Sequence, residues 1–392
     1  MRLLMLNNEF PPLGGGTGTV NRALLERFAM VPDLSIDLIT SALGKAPEQQ
    51  QFAERVRIFK VPVDNQDIHH SSNRELLTYA ARGLGLALRL QRQHRYDFCF
   101  VWSAVPAGGI GLALRRLAGL RYLVRVCGPD IPGFEQRYGG IYPLLKPVIQ
   151  QIWHGAEVVV AKCAGEADMI HAVDRQVQVA LIANGVDLEA FHPAMIADRG
   201  PLKLICVARL IERKGQAHLI TAVRRLRDMG IVVALDLVGT GDAEPIYRKL
   251  AQELEVADHV WFSGYVPREQ IAERYAAADV FVLPSFNEGM SVATLEAMAA
   301  GLPTVVTRTG GTAELVTDGV SGLTFDWADV DQLVAHLQRL AGDRGLVQRM
   351  GAAARERAAR FSWDAAAEQY LALFEQFVPS QRGQASRMVT GE

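Results

Sequence analysis

The sequence is poor in cysteine, and this limits the chemistry that thiols could support. The 392 residues include 4 cysteines, at positions 99, 127, 163 and 206, with no metal-ligand spacing between them. Neither a disulfide framework nor a cysteine-ligated zinc site is therefore expected. The pattern is typical of reduced thiols in a cytosolic protein.

Long apolar runs are also missing. No uncharged apolar stretch approaches the roughly 18 residues that a transmembrane helix needs. The N-terminal apolar stretch, within MRLLMLNNEF, is too short for a secretory signal peptide. We therefore expect a cytoplasmic protein that does not span a membrane.

A strong excess of one charge is absent as well. The net charge is −2, which gives no reason at the level of the whole chain to expect a nucleic-acid partner. The hydrophobic fraction of 49% and the charged fraction of 21% are those of an ordinary globular protein. The length predicts two domains, with three as the alternative.

Short β-rich runs alternate with helix-like segments along the chain. This alternation predicts an α/β fold with parallel sheets covered on both faces. Two successive series of about six strands favour two doubly wound Rossmann-like domains, with the break inside residues 184–201. We place the domains at residues 1–190 and 200–362, and we expect a mobile tail at 379–392. The predicted strands are 2–6, 35–40, 56–61, 97–102, 122–126, 157–162, 178–182, 203–208, 232–238, 259–262, 279–284, 303–306 and 322–325.

A glycine-rich loop follows the first predicted strand. Its glycines at 14, 15, 16 and 18 precede a helix-like segment, so backbone amides there could approach an anion. The spacing matches neither the dinucleotide fingerprint nor a phosphate-binding Walker A loop. A flexible turn between strand and helix is the alternative.

Further candidates follow strands in the second half. Arg209 and Lys214 come after strand 203–208 and could neutralise a pyrophosphate. Gly239 and Gly241 follow the next strand, and Tyr265 and Val266 follow the one after that, where backbone groups could contact a flat base. Each pattern alone is weak evidence for a binding site, because charged loops and glycine turns are common.

Two glutamates flank a predicted helix start. Glu288 falls in the loop after strand 279–284, and Glu296 falls inside a helix that begins near Ser291 and ends before Gly301. The amides of Gly289, Met290 and Ser291 could favour an anion. Two carboxylates beside such amides suit a nucleotide-sugar, one for the ribose and one for the transferred sugar. For Glu296 the alternative is a partly exposed residue with a cationic partner.

The stretch EGMSVATLEAMAAGLP resembles the E-x7-E signature of glycosyltransferase family four, whose members are retaining nucleotide-sugar transferases with the GT-B fold. The resemblance extends over nearly the whole chain. It includes, in order, PPLGGG, NGVDLEAFHP, ARLIERKG, LVGTGD, FSGYV, LPSFNEG and TGGTAELVTDGVSG. By this resemblance, residues 363–378 form a helix that crosses back to the first domain.

The resemblance also implies roles for the candidate residues. Arg209 and Lys214 would hold the donor diphosphate, Glu296 the ribose hydroxyls and Glu288 the donor sugar. The amides at 289–291 would meet the sugar and phosphate, and Gly15 and Gly16 would lie on the first domain's side of the cleft. No cofactor is expected beyond the donor substrate itself.

One departure from the family concerns the loop after strand 122–126. Many members have a histidine there, near the transferred sugar, whereas this chain has Cys127 in the sequence CGPD. That leaves Asp130 as a candidate sugar contact. In retaining members the leaving phosphate oxygen is thought to take the acceptor proton, so a catalytic side chain in this domain is not essential.

We therefore predict a hexosyl-type transferase that moves a sugar from a nucleoside diphosphate donor to a glycan or lipid-linked acceptor. The alternatives are a catalytically silent binding subunit of a glycan-assembly complex and a nucleotide-sugar epimerase. The sequence leaves the base, the sugar, the acceptor and the oligomeric state undetermined. Donor turnover would separate the three functions.

Two patterns resemble metal sites without a full ligand set. Asp329-Val330-Asp331 has the D-x-D form, but it lies at a predicted helix start, where acidic residues favour the macrodipole. His69-His70 has no third ligand nearby in the sequence. We expect no metal at either.

A basic segment suggests contact with a membrane surface. Residues 74–125 contain nine arginines and two acidic residues, a local net charge of +7. The leucines at 76, 77, 84, 86, 88 and 90 alternate with arginines as in a basic amphipathic helix, so peripheral contact with anionic lipid at the inner face of the membrane is one expectation. The alternative is an ordinary helix packed on the sheet.

Overall fold

The computed structural model describes residues 1–65, 71–135, 139–193 and 200–378. The predicted tail and the pair His69-His70 lie outside these residues. Contacts divide the chain into two compact units. The first contains residues 1–162, 167–182 and those from 363 on, and the second contains 163–166 and 183–362.

The first unit is built on one sheet of eight strands. Seven strands are parallel and the edge strand β3 is antiparallel to β4, and the order across the sheet is β3-β4-β2-β1-β5-β6-β7-β8. The strands are β1 (Arg2–Leu6), β2 (Ser35–Ala42), β3 (Glu48–Ala53), β4 (Val56–Pro62), β5 (Phe98–Trp102), β6 (Tyr122–Arg125), β7 (Val159–Ala161) and β8 (Val179–Leu181).

Helices cover this sheet because the strands carry apolar side chains on both faces. Tyr79, Leu114 and Trp153, one from each of three helices, are buried in a single core with strand residues such as Leu4 and Val101. The helices up to residue 182 are α1 (Gly16–Ala29), α2 (Asn73–His94), α3 (Gly109–Ala118), α4 (Tyr142–Gly155) and α5 (Ala164–Val173).

The last described helix, α13 (Trp363–Phe377), belongs to the first unit although it follows the second in sequence. Phe374 is fully buried, and its ring centroid lies 5.7 Å from that of Phe28 and 5.5 Å from that of Phe100. The helix is therefore part of the aromatic core of that unit.

The second unit has a six-stranded parallel sheet in the order β11-β10-β9-β12-β13-β14. Its strands are β9 (Leu202–Val207), β10 (Val233–Val238), β11 (Val260–Gly264), β12 (Val280–Leu283), β13 (Thr304–Thr307) and β14 (Gly322–Phe325). Its helices are α6 (Gln216–Asp228), α7 (Glu244–Glu253), α8 (Arg268–Ala276), α9 (Val292–Ala299), α10 (Thr312–Leu315), α11 (Val330–Gly342) and α12 (Arg344–Ala358).

The sheets confirm the predicted α/β class with two doubly wound sheets. Every predicted strand is present within a few residues of its expected bounds, but the sequence reading missed β3. That strand reads EQQQFA and its first four residues are exposed, so it carries no apolar alternation. It forms because β4 offers an open edge, with which it pairs from Glu48 opposite Lys60.

The burial of the leucines in the basic helix α2 corrects the expectation that they contact lipid. Leu90 is buried, and Leu84, Leu86 and Leu88 pack against the core of the first unit, so these side chains are not available to lipid. Leu77, in contrast, is 72% exposed. Most apolar side chains of α2 therefore pack against the first unit, as expected of an ordinary helix that covers a sheet.

Candidate functional site

The strand order of the second unit reverses between β9 and β12, because the chain starts in the middle of the sheet and moves outward in both directions. In doubly wound sheets, ligands bind outside the carboxyl ends of the strands at such a reversal. The loop after β9 contains Arg209 and Lys214, and the loop after β12 contains Glu288. The topology thus brings three of the predicted site residues to one place.

Three contacts join these two loops. The backbone amide of Phe286 donates to the Arg213 carbonyl at 2.8 Å, and the Arg213 guanidinium donates to the Asn287 carbonyl at 2.9 Å. The third contact is an ion pair between Lys214 and Glu288. The sequence reading missed Arg213, although it is adjacent to Lys214 in the ERKG segment.

Glycine is required where the loops meet. Gly215 has φ +69°, and a β-carbon built on it would lie 2.0 Å from the carbonyl oxygen of Pro284. Any side chain there would push the two loops apart. Lys214, the residue before it, is held against Glu288 with both side chains largely buried, at 14% and 17% exposure.

The charges around Glu288 are unbalanced in favour of cations. Burial opposes the ionisation of Glu288, but the charges of Lys214 and Arg213 outweigh it and lower the pKa of that carboxyl. Burial lowers the pKa of Lys214, and Arg213 and Arg209 lower it further, while Glu288 acts in the opposite direction. Lys214 and Arg213 thus act on Glu288, and Arg209 acts on Lys214. Three cations for one carboxylate suit an anion with more than one negative charge.

The turn before α9 presents backbone donors beside these cations. Within the described part of the chain, the amides of Gly289, Met290 and Ser291 donate to no acceptor. Ser291 is the N-cap of α9, and its hydroxyl accepts from the amide of Thr294 at 3.2 Å. The start of a helix attracts negative charge, so these amides suit a phosphate or sugar oxygen.

Two further segments hold this turn in place. Asn184 donates to the Met290 carbonyl at 2.9 Å. The Gly311 amide donates to the Glu288 carbonyl at 3.3 Å, and a β-carbon built on Gly311 would lie 1.8 Å from the Gly289 carbonyl oxygen. A small pocket adjoins the turn, lined by Glu288, Gly289, Leu283, Ser291, Thr294, Val306, Thr307, Thr309, Thr312, Leu315 and Val316.

Glu296 lies on α9, as predicted, and has a different environment from Glu288. The Tyr275 hydroxyl is 3.1 Å from Glu296 Oε2. Burial raises the pKa of Glu296 to about 7, although Arg268 and Tyr275 both act to lower it. Near neutral pH this carboxyl therefore exchanges between a form that only accepts hydrogen bonds and a form that also donates one.

The remaining predicted residues of the second unit follow β10 and β11. Gly239 and Gly241 allow close approach to the loop after β9, because β-carbons there would lie 2.1 Å from the Ala208 carbonyl oxygen and 2.2 Å from that of Leu210. Tyr265 is 51% exposed, and Val266 packs against the core. These residues end neighbouring strands of the same sheet.

The predicted residues of the first unit follow strands of its own sheet. The helix α1 begins at Gly16 with Gly15 as N-cap, and a β-carbon on either would touch nothing within 4 Å. The Asp130 carboxylate accepts from the amides of Cys127 and Ala104, both at 2.7 Å, so it ties together the loops after β5 and β6. Its contact with a sugar stays a prediction.

Cys127 is unsuited to nucleophilic chemistry. Burial raises the pKa of its thiol to about 12, and the nearby Asp130 charge acts in the same direction. The thiolate is the nucleophilic form of cysteine, and it is scarce at neutral pH when the pKa is so high.

The D-x-D segment has structural partners. Asp329 is the N-cap of α11 and accepts from the amide of Gln332 at 2.9 Å, while Asp331 forms an ion pair with Arg225. In the residues that the structure describes, no three histidine, cysteine, aspartate or glutamate side chains gather to hold a metal ion.

Two family models match the chain in succession. The model described as "Glycosyl transferase 4-like domain" matches residues 15–185, and the model described as "Glycosyl transferases group 1" matches residues 189–357. The chain belongs to glycosyltransferase family four. This membership confirms the resemblance found in the sequence, and with it the activity class of nucleotide-sugar-dependent glycosyl transfer.

Known proteins resemble this family four glycosyltransferase over nearly all of its length. A GDP-mannose-dependent alpha-(1-6)-phosphatidylinositol monomannoside mannosyltransferase from Mycobacterium tuberculosis is 29% identical, over 93% of this chain and 95% of that protein. A D-inositol 3-phosphate glycosyltransferase from Corynebacterium urealyticum is 29% identical, over 100% of this chain and 99% of that one.

A solved structure supports the fold. Sucrose-phosphate synthase from Thermosynechococcus elongatus superposes with a TM-score of 0.85 at 22% identity, covering 96% of this chain and 98% of that one. This likeness confirms the predicted GT-B fold of the family four glycosyltransferase. The roles of its individual site residues stay predictions.

Proposed function

We propose that this glycosyltransferase moves a hexosyl group, with retention, from a nucleoside diphosphate sugar to a lipid-linked or glycan acceptor. The observation that carries the proposal is the cluster at the reversal of the second sheet. There, Lys214 and Arg213 act on one carboxylate, Glu288, and Arg209 acts on Lys214, beside the amides of 289–291. Such a cluster fits a diphosphate with a sugar attached to it.

The chemistry needs little from the protein beyond positioning and charge. The bond between the sugar C1 and the phosphate oxygen breaks, a bond from C1 to the acceptor oxygen forms on the same face, and the acceptor proton moves to the leaving phosphate. Arg209 and Lys214 would stabilise the charge that grows on that phosphate. Glu288 would hold the sugar, and Glu296 would accept hydrogen bonds from the ribose hydroxyls.

The first donor to test is GDP-mannose, because the Mycobacterium tuberculosis relative is named as a GDP-mannose-dependent enzyme. Thermal unfolding should be measured with GDP-mannose, UDP-glucose, GDP and UDP, since a ligand that binds the native state raises apparent stability. Slow hydrolysis of the stabilising donor should follow. A bound donor returned as an isomer would identify an epimerase, and a bound donor left intact would identify a silent binding subunit.

We also propose that the first unit contacts anionic lipid through one surface, which we call the α2–α4 surface. It comprises exposed side chains of three helices and of Ile141, the N-cap of α4, with α3 packed against both α2 and α4. Its exposed arginines are Arg74, Arg82, Arg89, Arg92, Arg115 and Arg116, of which Arg115 forms an ion pair with Glu157. Its exposed apolar residues are Leu77, Leu117, Ile141, Leu144 and Val148.

Charge and apolarity occur together on this surface, which supports lipid rather than a soluble acceptor. Leu144 is 78% exposed and Leu117 is 70% exposed. The spacing of 141, 144 and 148 places three apolar side chains on one side of the start of α4. Not all of the basic segment contributes, because Arg125 is buried over the Trp102 ring and Arg121 pairs with Glu157 at 2.8 Å.

Vesicle co-sedimentation tests this surface. We expect the protein to bind phosphatidylcholine vesicles that contain phosphatidylglycerol at low salt and to bind less at high salt, because salt screens surface charge. No binding at low salt would overturn the proposal and favour a soluble acceptor. Among the described residues, no helix combines the length and the apolarity needed to cross a bilayer.

A further inference from the structure

Tyr275 is buried in the second unit with its hydroxyl at the candidate site. It lies near the end of α8, and its side chain is 0% exposed. The ring packs against Phe191 and Phe281, with centroids 5.8 Å and 6.2 Å apart. A ring held between two others has a fixed orientation, so the position of its hydroxyl is fixed as well.

The hydroxyl has two acceptors within reach and one proton to donate. Glu296 Oε2 is 3.1 Å away and the Ala293 carbonyl oxygen is 3.2 Å away. A hydrogen bond to an ionised carboxylate is stronger than one to a neutral carbonyl, so the hydroxyl favours Glu296 whenever that group is ionised. Burial keeps the phenol protonated, because it raises the pKa of Tyr275 well above its ordinary value.

A glutamate on a helix otherwise rotates freely about its terminal bonds. Anchoring Oε2 fixes the plane of the carboxylate and leaves its other lone pairs for a ligand. A pair of neighbouring hydroxyls, such as a ribose diol, needs two acceptor positions in a fixed relation to each other. Prior fixing of the carboxylate removes part of the entropy cost of binding.

We propose that Tyr275 is a positioning residue that orients the Glu296 carboxylate for the ribose hydroxyls of the donor. The inference rests on the proposed function, in which Glu296 binds the ribose. Tyr275 itself touches neither the sugar nor the phosphates in this scheme. Its effect should therefore appear in donor affinity and in the protonation of Glu296, and not in the chemical step.

The first measurement is the affinity of Tyr275→Phe for GDP and UDP by calorimetry. Loss of one hydrogen bond to a carboxylate should weaken the nucleotide that binds by roughly fivefold to tenfold. In turnover assays the donor KM should rise by a similar factor, with kcat at saturating donor nearly unchanged. A fall in kcat alone, with affinity preserved, would overturn the proposal.

The second measurement is the pH profile of nucleotide affinity. The charged and titratable groups that act on Glu296 are Arg268 and Tyr275, both from α8. Nucleotide binding should strengthen as pH rises and the carboxyl ionises. Because Tyr275 stabilises the ionised form, Tyr275→Phe should move the midpoint of this profile to higher pH. An unmoved midpoint would contradict the proposal even if the variant is less stable.

Controls separate a local effect from a general loss of stability. Tyr122→Phe also removes a buried phenol hydrogen bond, to the Ile152 carbonyl at 2.7 Å in the first unit, and should leave nucleotide affinity unchanged. In a Glu296→Ala background, Tyr275→Phe should cause no further loss. An undiminished loss in that background would show that Tyr275 acts elsewhere.

Failure of the proposal can be told apart from failure of the proposed function. If Glu296→Ala leaves nucleotide affinity intact, the ribose role of Glu296 is wrong, and the role of Tyr275 falls with it. If Glu296→Ala weakens binding but Tyr275→Phe changes neither affinity nor the pH midpoint, only the positioning role is wrong.

Discussion

At the residue scale, Lys214 and Glu288 already form an ion pair with each other in the absence of a donor. Both side chains are largely buried and form an ion pair, with Arg213 and Arg209 close enough to affect the pKa of Lys214. A diphosphate that enters must therefore share Lys214 with Glu288. Removing either partner changes the charge that the diphosphate meets, in opposite directions.

We expect Lys214→Ala to weaken nucleoside diphosphate binding by about 2 kcal/mol, the order of a charge-assisted hydrogen bond. Arg209→Ala should act in the same direction. Glu288→Ala should preserve or strengthen binding of the bare diphosphate, because it releases Lys214, yet it should reduce turnover of the intact donor. Calorimetry with GDP or UDP and a donor turnover assay give the two readouts.

A matched control is Arg225→Ala, which removes a cation of the same unit that pairs with Asp331. It should leave diphosphate affinity unchanged. The charge argument would be wrong if Glu288→Ala weakened the bare diphosphate as much as Lys214→Ala did.

Glu296 should make stability depend on pH. Its pKa is about 7 in the folded protein, above the value of 4.5 expected for a free side chain, so the folded state holds the proton more tightly. The stability associated with the protonated form is full below about pH 4.5 and is lost as pH rises to about 7. Above that pH, Glu296 lowers stability by at most about 3 kcal/mol.

Glu296→Gln should therefore stabilise the second unit at about pH 8 and change it little at about pH 4.5. Urea unfolding at the two pH values measures the difference. Glu253→Gln is the matched control, because that carboxyl lies exposed on α7 and pairs with Lys249, and it should show no such contrast. An equal effect of Glu296→Gln at both pH values would argue against a buried, proton-retaining carboxyl.

At the element scale, the sequence predicted the strands and the helix α9 because their signals are local. Apolar runs between turns mark the strands, Ser291 caps α9, and Gly301 with φ +73° ends it before Pro303. The strand β3 was not predicted, because its polar residues form a strand only by pairing with β4. Local pattern carries no information about that partner.

The sequence likewise predicted the parts of the candidate site that have local signals and not the parts that depend on tertiary contacts. Strand ends located Arg209, Lys214 and Glu288, since a parallel sheet gathers such ends along one edge. Tyr275 has no local signal, because only the tertiary structure brings its hydroxyl within hydrogen-bonding distance of Glu296. Arg213 was visible as a charge, but its bond to the Asn287 carbonyl depends on how two loops meet.

The loop between β13 and α10 sets the shape of the turn before α9. Gly311 has an ordinary φ of −96°, so only space forbids a side chain there. A methyl group would overlap the Gly289 carbonyl oxygen, 1.8 Å away. We expect Gly311→Ala to cost about 1–3 kcal/mol of stability, in the range of overpacked sites, and to weaken diphosphate binding.

Gly342→Ala is the comparison, since a β-carbon there would contact nothing within 4 Å and the residue lies in α11. It should be neutral or slightly stabilising, because alanine favours a helix. Thermal unfolding and calorimetry measure both effects. Wild-type affinity in a destabilised Gly311→Ala protein would mean that the loop supports the fold without shaping the site.

At the scale of the whole molecule, the two units carry different kinds of surface. The second gathers partly buried cations and a carboxylate with a lowered pKa at the edge of its sheet. Beside them are backbone amides that donate to no acceptor among the described residues. The first gathers exposed arginines and exposed apolar side chains on the α2–α4 surface. The former suits a small anionic ligand, and the latter suits an extended anionic layer with an apolar interior.

The two components of the α2–α4 surface should be separable by mutation. Replacing Arg89 and Arg92 with glutamine should reduce binding to anionic vesicles at low salt and flatten its salt dependence, since each cation near such a surface contributes about 1 kcal/mol. Replacing Leu144 and Val148 with glutamine should weaken binding while leaving the salt dependence intact, because apolar burial is not screened by salt. Ile246→Gln is the control, with a side chain 67% exposed on α7 of the second unit, and it should bind vesicles like the wild type. Hydrolysis of a soluble donor should be unchanged in all of these variants. If both replacements altered only the salt dependence, the apolar side chains would lie outside the bilayer and the surface would be an electrostatic one alone.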